Sequence, residues 1–310
     1  MIKSGIYNLN TPVDKVFTVE GENCGESIFE LQCEATDAMK EDASIGSQFC
    51  QVQGVRGAGE WDLGWGWHMA TKLMGEAFEP GDPRRNATLL YFRRSTDEPI
   101  TPENTNQPYG ESPVSTAMGA YFNKKAYTDP TLRRKYSRMG FWVNIRLIRY
   151  PDVLLMAAEA ANEKGLTGEA AGYLEQVRAH ARGTLANVLP KVESASQSVL
   201  RDAIRHERRV ELALEPDRFY DLVRWGIAKE DAASCRKELP GQECTTASAP
   251  DRDRQIERST GTEPRLLIPG QRKQPTQSMA KGLFHNLLSI KALLLQRAAN
   301  FCSGTAKVLQ

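Results

Sequence analysis

A chain of 310 residues is long enough to bury a hydrophobic core without disulfides or metals, as one large domain or two ordinary ones. Hydrophobic residues make up 40% of the chain and charged residues 25%, a globular balance that excludes a fully disordered or fibrous protein. Lys and Arg number 40 against 39 Asp and Glu, so the net charge of +1 points to neither nucleic acid nor an anionic membrane as a partner.

Residues 1–140 are rich in turn-forming glycines and prolines and poor in helical periodicity, which predicts a loop-rich region with few elements. Within it, the alternation over 27–33 predicts a strand. Residues 69–78 predict a short helix that ends at Pro80 and Gly81.

Residues 141–228 are predicted to form a helical core. Pro151 biases Tyr150 toward an extended conformation, which predicts an extended segment followed by a helix over 153–164. A second helix is predicted over 167–183, and the short connection between the two indicates a helical hairpin.

A third helix is predicted over 198–214, closed by Pro216, and a fourth over 217–228. The fourth helix is expected to direct four apolar side chains inward, those of Phe219, Leu222, Val223 and Trp225. Residues 229–310 lose this periodicity and are predicted to form an atypical, poorly ordered tail, with one helix near 283–299.

No stretch of the sequence is apolar enough over a sufficient length to predict a transmembrane helix. The first residues show neither a signal peptide nor a lipidation site, so we expect no export signal in this chain. The six cysteines are scattered and form no Cys-x-x-Cys pair, which argues against a disulfide scaffold or a structural zinc site.

The most distinctive motif of the sequence is IRHERRVELALE at 204–215, followed by RFYDLVRWG at 218–226. Further characteristic stretches are parts of 20–32, GDPRR at 81–85, RYPDVLLMAAEA at 149–160 and VRAHARG at 177–183. These motifs, in this order, resemble the RagB/SusD family of outer-membrane nutrient-binding lipoproteins of Bacteroidetes. The resemblance covers residues 1 to about 228, and Pro216 departs from it where the family has glycine.

This resemblance implies a mainly α-helical SusD-like fold with tetratricopeptide-like helical repeats and a loop-rich irregular part. The N-terminal part of the family, with its lipid anchor and first repeats, is not recognisable, so we expect a chain truncated at the N-terminus. The resemblance divides the chain into a loop-rich part over 1–140, a helical core over 141–228 and an atypical tail over 229–310.

Two carboxylates on the third helix, Glu207 and Glu211, fall inside or beside its apolar stripe. A pair of carboxylates suggests glycosidase chemistry, but side chains one turn apart on one helix point the same way and do not flank a bond. We therefore expect both to be buried and paired with arginines. The residues to which we assign this structural role are Glu207, Arg208, Glu211, Arg218, Asp221 and Arg224.

Three indoles within seven residues, Trp61, Trp65 and Trp67, lie in a glycine-rich stretch. Sugars offer C–H faces that stack on such rings, so all three are candidate ligand-binding residues, although one or two could instead fill the core. Trp65 and Trp67 are preferred because neighbouring glycines leave space beside them, and both are expected to be partly exposed. Trp142 and Trp225 are expected to be packed inside.

The resemblance implies a non-catalytic protein that binds glycans or other nutrients at the outer membrane. Its expected partner is a TonB-dependent, SusC-like transporter, and its expected membrane association is through a lipid anchor that we expect to be missing from this chain. No cofactor, metal or catalytic residue is predicted. Two alternatives are an α-helical glycoside hydrolase that uses Glu207 with Asp221 or Glu211, and a helical-repeat interaction module without a ligand.

Overall fold

The computed structural model describes residues 1–34, 47–91, 109, 121–193 and 196–232. The helices are α1 (Phe49–Gln53), α2 (Lys72–Ala77), α3 (Pro83–Thr88), α4 (Pro130–Lys135), α5 (Tyr150–Glu163), α6 (Thr167–Arg182), α7 (Gln197–Glu211) and α8 (Arg218–Arg224). The strands are β1 (Ser27–Leu31), β2 (Leu89–Tyr91), β3 (Tyr121–Asn123) and β4 (Ile145–Arg149). The helix-rich fold predicted from the sequence is confirmed.

The predicted strand near residue 27 and the predicted extended segment before Pro151 pair with each other. β1 and β4 are antiparallel, with Ser27 opposite Arg149 and Leu31 opposite Ile145. β4 leads directly into α5, whose first turn contains Pro151, where the missing N–H costs no helical hydrogen bond.

The main core lies between α5, α6 and α7. α5 and α6 form the predicted hairpin, and α7 packs against both. Small side chains such as Ala158 and Ala170, both 0% exposed, let the helices approach closely. Other buried members of this core are Leu154, Leu155, Leu174, Val177, Leu200 and Ile204.

α7 begins after Ser196, whose side chain accepts a hydrogen bond from the Val199 N–H and so caps the helix. It ends at Glu211, three residues before the predicted end, and Leu214 then adopts a left-handed φ of 61°. The helix therefore ends before Pro216, which does not close it.

α8 differs from the prediction in length and in orientation. It ends at Arg224, whereas a helix over 217–228 was predicted. Leu222 is buried, but Phe219 and Val223 are 48% and 52% exposed, so the expected inward-facing set is wrong for these two side chains. The physical reason is that one face of α8 packs on the body of the protein while the other faces solvent.

The two tryptophans next to the helical motifs have different environments. Trp142 is buried, as predicted, and its Nε1–H donates to the Ser137 carbonyl. Trp225 is only half-buried, which corrects the prediction. It lies just after α8, and the guanidinium groups of Arg205 and Arg224 are 4.9 and 4.8 Å from its ring centroid.

A second core lies under the loop-rich part of the chain. β2 and β3 pair in antiparallel register, with Leu90 opposite Phe122. Both side chains are buried, and around them pack Val55, Trp61, Leu63 and Tyr127. This core supports the segment that carries Trp65 and Trp67.

The predicted helix near 283–299 and almost all of the predicted tail lie outside the described residues. The boundaries at 140 and 228 therefore stay predictions. In the part of the chain that the structure describes, every helix is too short or too polar to reach across a lipid bilayer.

Candidate functional site

Backbone hydrogen bonds hold the segment that carries the exposed indoles against helix α1 and the turn after it. The N–H of Trp65 donates to the Gln51 carbonyl at 2.8 Å, and the N–H of Trp67 donates to the Val52 carbonyl at 2.9 Å. Between them, the Gly66 N–H donates to the Gly54 carbonyl at 3.0 Å. The backbone at both tryptophans is therefore anchored to α1 and the turn after it by main-chain hydrogen bonds.

Two glycines allow this close approach. A Cβ added to Gly64 would overlap the Gln51 carbonyl oxygen, so only glycine fits there. Gly66 adopts a left-handed φ of 66°, which glycine reaches without steric cost. As a result the main chain passes close to α1 and the turn after it, while the side chains of Trp65 and Trp67 stay at the surface.

Trp65 and Trp67 form a pair that we call the tryptophan platform. Their side chains are 37% and 59% exposed, as the sequence predicted. The ring centroids are 4.9 Å apart and the ring planes are inclined by 51°. Large apolar rings exposed side by side are characteristic of ligand-binding surfaces.

Trp61 belongs to the core and not to the tryptophan platform. It is 3% exposed and stacks on Tyr127 at a centroid distance of 5.8 Å. Its selection as a ligand-binding residue is therefore corrected, because neither ring face is open to a sugar. Of its polar neighbours, Asp62 is paired with Arg138 at 2.9 Å.

Replacing Gly64 with alanine is expected to destabilise the protein by about 1–3 kcal/mol, since the new methyl group has no space beside Gln51. Urea unfolding measures the change. Gly172→Ala in α6 is the matched control, because nothing lies within 4 Å of a Cβ there and the substitution should stabilise by about 0.5–1 kcal/mol. Equal effects of both substitutions would contradict the close packing.

Glu207 and Glu211 are buried and bound by arginines, as predicted. Glu207 is 0% exposed and accepts hydrogen bonds from Arg84 and, at 2.8 Å, from Arg178. Glu211 accepts from Arg149 at 2.9 Å and from Arg84 at 3.1 Å. We call these five side chains the central ion-pair network. It joins α3, α6, α7 and the end of β4.

The partners of these carboxylates are not the arginines beside them on α7. Arg208 and Arg209 bind elsewhere, and the sequence analysis assigned the structural role to neither Arg84 nor Arg178. The only sequence signal for Arg84 was its place in the GDPRR motif. Although burial alone would raise the pKa of Glu211, the surrounding Arg149, Arg84 and Lys125 hold that pKa well below its usual range.

Three of the remaining predicted structural residues, Arg208, Asp221 and Arg224, form a second cluster between α5, α7 and α8. The buried Arg208 donates to Asp152 at 2.9 Å and to Asp221 at 2.8 Å. Arg224 donates to Asp221 at 2.9 Å and to Glu159 at 2.7 Å. This cluster ties α8 to α5 and α7.

Arg218 lies at the edge of the molecule. Its guanidinium pairs with Asp231 at 2.8 Å, and about a third of each side chain is exposed. Because water screens such a pair, its contribution to stability is about 0–1 kcal/mol. Arg218 therefore contributes less to the helical core than the sequence analysis suggested.

Glu26, which the sequence analysis did not single out, is 0% exposed. Its carboxylate lies 3.2 Å from Arg149 and 3.2 Å from the His180 ring nitrogen, which is also 2.7 Å from the Thr11 carbonyl oxygen. Burial raises the pKa of Glu26 from 4.5 to about 7, and the nearby negative charge of Glu211 acts in the same direction. Arg149 and His180 act in the opposite direction, because positive charge favours the ionised carboxylate.

This raised pKa predicts a dependence of stability on pH. The folded protein holds the Glu26 proton more tightly than the unfolded chain does. The protonated carboxyl group therefore adds about 3 kcal/mol to the free energy of unfolding below pH 4.5, and this contribution is lost as the pH rises to about 7. Urea unfolding across this range measures it. Glu26→Gln cannot titrate and should flatten this part of the profile, whereas an unchanged slope would contradict the assignment.

Comparison with known proteins identifies the fold. The SusD family model matches residues 25–269. SusD-like protein P2 of Formosa agariphila is 30% identical over 184 residues, which cover 58% of this chain and 35% of that protein. SusD-like protein P38 of the same organism is 41% identical over 90 residues, covering 28% of this chain and 18% of that protein.

The structure is similar to solved structures of surface glycan-binding protein A from Bacteroides thetaiotaomicron. One has a TM-score of 0.56 and 25% identity, covering 74% of this chain and 48% of that one. Another, in complex with laminarihexaose, has a TM-score of 0.56 and 26% identity, covering 74% and 49%. This chain spans half or less of the length of these relatives. The family match extends over most of the chain and past residue 228, and the chain belongs to the SusD family.

Proposed function

We propose that this chain binds glycans on the tryptophan platform and does not cleave them. The observation that carries the proposal is the pair of exposed indoles, 4.9 Å apart, held by main-chain hydrogen bonds. A rigid platform loses little conformational entropy when a ligand binds, and its apolar rings match the C–H faces of a pyranose. The similarity to a glycan-binding protein in complex with laminarihexaose supports this proposal.

The buried carboxylates support a binding function over hydrolysis. A glycosidase needs two carboxyl groups that flank an accessible bond. Glu207, Glu211 and Asp221 are each 5% exposed or less and are each bound by guanidinium groups. Such residues hold the helices together and do not meet a polysaccharide.

Membership of the SusD family supports a proposal for the biological setting. We propose that the protein acts at the cell surface, at the outer membrane, where it would capture a glycan or another nutrient for a TonB-dependent, SusC-like transporter. A shallow aromatic surface suits this task, because a ligand that is handed on must also dissociate readily. Several stacking contacts on the order of 1 kcal/mol each give a site in the micromolar to millimolar range.

The experiment is a binding screen with a simultaneous assay for products. The protein is run through gels that contain individual polysaccharides, and the same polysaccharides are assayed for released sugars. We expect retardation by at least one glycan with no release of reducing ends. Release of sugars would contradict the non-catalytic function, and retardation by no glycan would contradict glycan binding.

A further inference from the structure

Arg56 lies directly beside the tryptophan platform. It forms an isolated antiparallel bridge with Asp62 at the base of a short hairpin. Its Cβ is only 2.9 Å from the position that a Cβ on Gly66 would take. Because Gly66 separates the two tryptophans and has no side chain, the stem of Arg56 packs against the backbone between the two indoles.

The charge of Arg56 is exposed and, among the described residues, has no carboxylate within ion-pair distance. Asp62, opposite it in the bridge, is bound by Arg138 at 2.9 Å. Glu60 is exposed, but it lies in the tip of the hairpin, beyond the bridge between Arg56 and Asp62. Arg56 therefore carries an exposed positive charge that no described carboxylate pairs, on a side chain whose Cβ adjoins the backbone between the two indoles.

We infer that the tryptophan platform takes a glycan whose pyranose rings carry an anionic substituent, a carboxylate or a sulfate ester, and that Arg56 binds this substituent. The inference rests on the proposed function and adds the class of ligand. A pyranose stacked on an indole directs its equatorial substituents outward in the plane of the sugar ring. An arginine beside the rings can then meet such a substituent at the sugar's edge.

The chemistry of the guanidinium favours an oxyanion over a hydroxyl. Its planar set of N–H donors matches the two oxygens of a carboxylate or sulfate, and such charge-assisted hydrogen bonds are stronger than neutral ones. A sugar stacked on Trp65 and Trp67 also removes water from Arg56. An anionic substituent offsets this desolvation, whereas a neutral sugar leaves part of it uncompensated, so the arginine also discriminates against neutral glycans.

The test uses pairs of oligosaccharides that differ only in charge. Oligogalacturonate is compared with its methyl ester, and a sulfated galactan oligosaccharide with its desulfated form, by calorimetric titration at low and high salt. Arg56→Gln is the test variant. Arg134→Gln, an exposed arginine on α4, is the matched control, and the double variant Trp65→Ala/Trp67→Ala reports on the tryptophan platform itself.

We expect at least one anionic oligosaccharide to bind at least tenfold more tightly than its neutral form, with an affinity that falls as salt is added. Arg56→Gln should remove this preference and most of the salt dependence, and Arg134→Gln should leave both unchanged. Which of the two pairs shows the preference identifies the anion as a carboxylate or a sulfate.

Equal affinity for both members of each pair, or a preference that survives in Arg56→Gln, would overturn the inference. If the inference fails in this way but the tryptophan double variant loses binding, the tryptophan platform still binds glycans and the proposed function stands without the anionic preference. If binding survives in the double variant, the proposed function itself is overturned and the inference with it. If none of these oligosaccharides binds, the inference is overturned, and the polysaccharide screen decides the proposed function.

Discussion

Arg84→Met is expected to lower the free energy of unfolding by about 3–5 kcal/mol. Arg84 is 3% exposed and binds Asp82, Glu207 and Glu211, so the substitution leaves three buried carboxylates without a shared cation. Methionine keeps most of the side-chain length, and the measured loss therefore reports the charge and not a cavity. Urea unfolding followed by circular dichroism gives the value.

A surface ion pair provides the control for this experiment. Arg201 and Glu163 form a hydrogen-bonded pair in which about a third of each side chain is exposed. Arg201→Met should cost about 0–1 kcal/mol, because water screens the pair and solvates the charge that is left behind. A loss for Arg84→Met no larger than that for Arg201→Met would show that the central ion-pair network does not stabilise the fold.

The second large effect concerns the tryptophan platform. Replacing both Trp65 and Trp67 with alanine should remove about 2 kcal/mol of stacking, which corresponds to a roughly thirtyfold increase in the Kd for a retained glycan. Both rings are at the surface, so the melting temperature should change little. Titration calorimetry measures the affinity and thermal unfolding measures the stability.

Phe219→Ala is the control for this pair. Phe219 is 48% exposed on α8, so it is also a surface aromatic ring, but it belongs to a different element of the fold. Its removal should leave the affinity unchanged. A double tryptophan variant that binds as tightly as the Phe219 control would place the glycan elsewhere.

The burial of Glu207 and Glu211 could be predicted from the sequence, because both fall within or beside the apolar stripe of one helix. Their partners could not be predicted. Arg84 lies 123 residues before Glu207, and only the packing of α3 against the helical core brings the two together. Local sequence favours the helix neighbour Arg208, which instead binds Asp152, 56 residues away.

The environments of Trp61, Trp65 and Trp67 likewise depend on contacts that are distant in the sequence. Their spacing with glycines indicates a surface turn, but it cannot decide which ring is buried. Trp61 is buried because Tyr127, from a distant part of the chain, covers it. Trp65 and Trp67 remain exposed because the main chain is held on Gln51 and Val52, a contact that leaves no pattern in the sequence. The exposure of Phe219 and Val223 on α8 could not be predicted for a similar reason. The periodicity of apolar residues does not show how much of a helix face the rest of the protein covers.

The most direct test of glycan binding at the tryptophan platform is a site-resolved one. The chain contains five tryptophans, which can all be replaced by 5-fluorotryptophan and assigned by single substitutions. On titration with a retained glycan, the fluorine resonances of Trp65 and Trp67 should shift, and those of the buried Trp61 and Trp142 should not. Saturable glycan binding that leaves the Trp65 and Trp67 resonances unmoved would contradict the account.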